Sequence, residues 1–70
     1  MKISIQTNIA TPVFQQIVDQ VHFSISAGEL LPAERLPSIR ALATELGVAP
    51  NTVSKAYRQL EFRGLISAHD

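Results

Sequence analysis

Asn51, Thr52, Lys55, Arg58 and Gln59 are the residues of this chain whose types and spacing suit recognition chemistry. At roughly 100° per residue they share one side of a helix. That side carries amides, a hydroxyl and two cations, with no carboxylate among them, and Glu61 falls on the flank. An ordinary solvated helix face mixes both charge signs. A face of amides and cations suits a polyanion whose interior edges offer donor and acceptor pairs, which describes a nucleic-acid groove. Asn51 has the donor and acceptor suited to adenine, and Lys55 can donate to guanine. Thr52 and Arg58, with Ser38 and Arg40 upstream, suit the phosphate backbone and would fix register.

The elements that position these residues follow from periodicity. Val53, Ala56, Tyr57 and Leu60, spaced i, i+3, i+4, i+7, make the opposite, apolar stripe of the same helix, expected over 50–63. Pro50 fits its first position, where a missing N–H costs nothing. Before it, Gly47 can take the left-handed conformation that ends a helix, Ala43 is small enough for two helices to cross closely, and Val48 fills the junction. Ser38 caps a first motif helix over 38–46, with Ile39, Leu42, Ala43 and Leu46 facing the core. Ala41 stands where a reciprocal capping box would need Glu. The motif Ile39 to Arg58 therefore reads as a helix-turn-helix whose second helix enters a DNA groove.

Upstream, Thr11-Pro12 reads as a helix start, with the hydroxyl as cap and proline at the first position. Phe14, Ile17, Val18, Val21 and Ile25 form the apolar stripe of a helix over about 11–27, which Gly28 ends. Gln15, Gln16, Asp19, Gln20 and Ser24 face away, and the helix is expected to lie as a lid over both motif helices. His22 flanks the stripe and reads as structural. Residues 1–10 alternate weakly through Ile3 and Ile5, as a short edge strand or an arm. In the connector, Leu30 and Leu36 tuck inward while Pro32 and Pro37 stiffen the loop. Gly64 closes the last helix, Leu65-Ile66 begins as a strand would, and Phe62 falls on the polar side without an evident partner.

Seventy residues allow one domain with a marginal core. The formal net charge is zero but unevenly spread. Residues 1–34 hold Lys2 against Asp19, Glu29 and Glu34, while 35–63 hold Arg35, Arg40, Lys55, Arg58 and Arg63 against Glu45 and Glu61, so the positive field sits on the motif. With no cysteine there is no disulfide, zinc–thiolate site or thiol nucleophile. No apolar run reaches the length of a membrane span, no signal peptide is evident, and a cytoplasmic location is expected. No Gly-rich phosphate loop, metal-spaced cluster or nucleophile–base pair is present. The chain is therefore expected not to be an enzyme and to need neither cofactor nor metal. The alternative to DNA binding is a small helical protein–protein interaction module, against which the acid-free face and the turn argue.

Gly28-x-Leu30, Leu36-Pro37-Ser38-Ile39-Arg40-x-Leu42-Ala43, Leu46-Gly47-Val48, Asn51-Thr52-Val53 and Ala56-Tyr57-x-x-Leu60-Glu61-x-x-Gly64-Leu65-Ile66 follow one another without gaps. In this order they resemble the DNA-binding domain of the GntR family of bacterial transcription regulators, and Asn51 to Tyr57 are most similar to its YtrA branch. The resemblance implies a mainly α, three-helix winged helix-turn-helix domain over 11–70, α+β if its wing is complete. The wing would start at 65–70. It also implies a homodimer on a double-stranded operator, with a C-terminal effector-binding or dimerising part, absent from these residues, after the wing. By the same resemblance Arg40 contacts DNA and Pro50, Asn51 and Thr52 read bases, with Ser54 and Lys55 one turn on. Many members have arginine where this chain has Pro50 and Ser54, so its preferred sequence is expected to differ and its charge-driven affinity to be weaker.

Overall fold

A computed structural model describes residues 3–29 and 36–66. The expectations for Leu30, Pro32 and 67–70 lie outside them. Three helices run in chain order, α1 (Val13–Ser26), α2 (Ile39–Leu46) and α3 (Pro50–Phe62), and no strand occurs among the described residues. Their apolar stripes meet in one core of Ile17, Val18 and Val21 from α1, Leu42 and Ala43 from α2, and Val53, Ala56, Tyr57 and Leu60 from α3. Ile17, Leu42, Leu60, Val18, Val21 and Val53 are fully buried, and each such side chain contributes about 1.5–3 kcal/mol relative to exposure.

The helix α3 is the central element. Both α1 and α2 pack on it, while α1 and α2 do not approach each other within 8 Å between Cα atoms. The expected lid over both motif helices takes the form of close packing on α3, with α1 sharing one core with Leu42 and Ala43 of α2. Ile39 also departs from expectation: it stands at the first position of α2 and is 36% exposed, because burial on this helix begins a turn later at Leu42.

The corner between α2 and α3 has the expected form. Ser38 caps α2, its Oγ accepting from the Ala41 N–H at 3.0 Å. At the other end Gly47 takes φ 70° and ψ 35°. Its N–H donates to the Thr44 carbonyl at 3.3 Å and the Val48 N–H to the Ala43 carbonyl at 3.0 Å, so the last turn closes on itself. Pro50 then opens α3 at its first position, behind Ala49.

The start of α1 differs from expectation. Pro12, not Thr11, is the cap residue, and no side chain caps this helix. The Thr11 carbonyl instead accepts from Gln16 Nε2 at 2.9 Å. Gln16, expected to face solvent, is buried. Its Oε1 accepts from the Gln6 N–H at 2.8 Å while its Nε2 donates to the Gln6 carbonyl at 2.8 Å. One turn on, Gln20 does the same to Ser4, at 3.0 Å and 2.7 Å. Two residues of extended chain advance about 6.8 Å and four residues of helix about 6 Å. Glutamines four apart therefore match the polar groups of alternate arm residues, and act as a side-chain substitute for a neighbouring strand. Ser4 and Gln6 stay exposed, while Ile3 turns into the core and Ile5 is half-buried.

Candidate nucleic-acid interface

Packing decides which face of α3 stays open. Val53, Ala56 and Leu60 are completely buried and Tyr57 nearly so, which fixes the helix about its axis. Asn51, Lys55 and Arg58 are in consequence exposed, and Thr52, Ser54 and Gln59 are half-buried at the margins. Pro50 lies exposed at the head of the same helix. Ser38 and Arg40 are exposed at the N-terminal end of α2. Ser38 spends an acceptor site on its cap, but a hydroxyl retains its own proton to donate. The spacing 51, 55, 58 and 62 places Phe62 on the same stripe, at the distal end, where it is 91% exposed. No described residue covers it.

The two helices of the motif are tied at the site by Tyr57. Its hydroxyl donates to the Pro37 carbonyl at 2.7 Å, just ahead of the Ser38 cap. Burial pushes this hydroxyl up to about 12, so the donor form persists in alkaline solution. The bond sets where Ser38 and Arg40 stand relative to Asn51 and Lys55, which matters for any ligand that must be touched by both helices at once. Sequence periodicity placed Tyr57 in the core but gave no sign of its partner.

A second feature absent from the sequence reading lies on the α1 side. Phe14, placed in the core stripe by periodicity, is only half-buried, and the Lys55 ammonium sits 4.1 Å from the centroid of its ring. Pro12, Val13 and Phe14 from the start of α1 and Asn51, Thr52 and Lys55 from α3 line an open groove of about 350 Å³. One wall is apolar, and the other carries the residues expected to read bases. The signal that could have found it was the pairing of two helix starts, each bearing proline, with an aromatic at the second position of the first.

No group of three or more metal-ligating side chains is gathered among the described residues, and no helix there is long and apolar enough to cross a membrane. The arrangement is an exposed face of hydrogen-bond donors, acceptors and cations.

Comparison with known proteins gives one consistent answer. Residues 14–70 match the family model described as bacterial regulatory proteins, gntR family. The chain is similar to the HTH-type transcriptional repressor YtrA of Bacillus subtilis, with 44% identity over 91% of this chain and 49% of that protein. It is also similar to the HTH-type transcriptional regulator Rv1152 of Mycobacterium tuberculosis, with 49% identity over 79% of this chain and 46% of that protein. It thus spans about half the length of these relatives. Among solved structures it is similar to YtrA from Sulfolobus acidocaldarius, a GntR-family transcription factor, at a TM-score of 0.91 and 46% identity over 97% of this chain and 72% of that one.

Proposed function

The chain belongs to the GntR family of bacterial regulatory proteins, and from that membership we propose that it is a sequence-specific DNA-binding domain that lays α3 in the major groove of an operator. The observation that carries this reading is the two-sidedness of α3. One side is locked in the core by Val53, Ala56, Tyr57 and Leu60, and the other presents Asn51, Lys55 and Arg58 with no acid among them. A helix N-terminus of this kind reaches base edges, and its first amides favour a phosphate.

In this reading Asn51 pairs with adenine and Lys55 donates to guanine. Pro50 and Ser54 stand at base-facing positions without a charged head group. Ser38, Arg40, Thr52 and Arg58 hold the phosphate backbone. The domain works by binding and performs no chemical step. It acts in the cytoplasm and pairs with a second copy, since a single half-site contact by so small a module is weak. An effector would act through a part of the protein beyond these residues.

The test is selection from a pool of randomised DNA duplexes, followed by affinity titration. The protein is expected to enrich one sequence. Lys55→Ala should alter which duplexes are preferred, whereas Arg58→Ala should weaken all sequences alike. With roughly three to five phosphates neutralised per protomer, log affinity should fall with log salt at a slope of about −3 to −5. A salt-independent titration, or a pool returned unenriched, would overturn the assignment.

A further inference from the structure

We propose that Phe14 is a positioning residue for DNA recognition: its ring face holds the Lys55 ammonium on the α1 side of the recognition helix, so that Lys55 reads its base from a fixed place. This deepens the DNA-binding reading above and rests on it.

A lysine on an exposed helix face samples many rotamers, and a mobile ammonium discriminates bases poorly. Here the ammonium lies 4.1 Å from a ring centroid, well inside the range of cation–π attraction. The ring belongs to a different helix and packs against the hydrophobic core, so it is an anchor rather than a second flexible group. The type of partner matters as much as its place. A carboxylate there would also hold Lys55, but it would cancel the charge, occupy N–H donors and repel phosphate. An aromatic face holds the cation by its quadrupole and leaves charge and donors available to the nucleic acid. Asn51, one turn earlier on the same stripe and lining the same groove, sits about 6 Å along the helix axis, close to two base steps of about 3.4 Å. The pair is thereby set to read two nearby positions of one half-site.

The proposal is tested on the duplex selected from the randomised pool and on variants of it changed at each base pair. Phe14→Leu, which keeps apolar volume but has no ring, is expected to lower discrimination about two- to fivefold. That loss should fall only at the base pair whose preference Lys55→Ala alters. Affinity for unrelated duplex and the salt slope should stay as in the unchanged protein, because no charge is removed. Phe14→Tyr should restore discrimination. In the free protein the Lys55 side-chain methylene protons should be ring-current shifted, and should move to ordinary positions in Phe14→Leu. Pentafluorophenylalanine at position 14 keeps the shape of the ring and inverts its quadrupole. It is expected to give the same loss with unchanged thermal stability, which covers the case of a poorly folded Phe14→Leu. Unaltered discrimination with the leucine and fluorinated side chains overturns the proposal, as does a uniform loss at every base pair. If the unchanged protein enriches no sequence, the regulator reading itself fails. If it enriches one and Phe14 proves silent, only the positioning role falls.

Discussion

The corner between α2 and α3 and the junction between the arm and α1 both fasten a non-helical segment to a helix, by opposite means. At the corner the chain itself does the work. Gly47 adopts a left-handed conformation, the Val48 N–H donates to the Ala43 carbonyl, and Leu42, Ala43 and Val53 close the apolar seam. At the arm, two side chains on α1 do it. Gln16 and Gln20 grip the backbone of Gln6 and Ser4 while Ile3 enters the core. The corner depends on local conformation plus burial in the same core that fixes the recognition face. The arm depends on hydrogen bonds across sequence separations of 10 and 16 residues, and each competes with water. Failure of the corner is therefore expected to unfold the domain, and failure of the arm junction to release the arm alone.

Leu42→Ala should show the largest effect, a loss of about 2–5 kcal/mol in denaturant unfolding, since Leu42 is 2% exposed in the seam between α2 and α3. DNA binding should fall with the folded fraction. Gln16→Ala should cost about 1–3 kcal/mol at most, by stranding the polar groups of Gln6 and Thr11. Hydrogen exchange should locate that cost: the Ser4 and Gln6 amides lose protection while those of α3 keep theirs. Equal loss of protection throughout would show that the two seams are one. Tyr57→Phe, at about 1 kcal/mol, should be the mildest near neutral pH.

Tyr57 also makes stability depend on pH. The folded-state value of Tyr57, about 12, lies above the ordinary 10.0 of the unfolded chain. Below pH 10 both states keep the proton and the stabilisation is fully present. As pH rises from 10 towards 12 the unfolded state loses its proton first, so stability falls. Thermal melts over this window should show the decline in the unchanged protein. Tyr57→Phe should lack that component of it.

The three helices and the corner were legible in the sequence because each rests on local rules. A 3.6-residue period, a serine cap, a proline at a first position and a glycine past an end need no knowledge of distant residues. The bounds of α2 and α3 follow those signals closely. Thr11 misled because two rules competed for one start. Proline took the cap position itself, and a glutamine five residues on claimed the Thr11 carbonyl. Gln16 misled because an amide reads as polar in any pattern, while its burial depends on an arm that brings backbone partners to it.

The apolar side of α3, the turn between α2 and α3, and the amides and cations without acid on the remaining side all follow from the order of residues. These are consequences of periodicity and residue type, fixed before any two helices meet. Tertiary packing adds the close approach of α1 to α3, the bond from Tyr57 to the Pro37 carbonyl and the placing of Phe14 against Lys55. The last two join residues 20 and 41 positions apart. Their partners are chosen by how the helices stack, a property that no single stretch of chain contains.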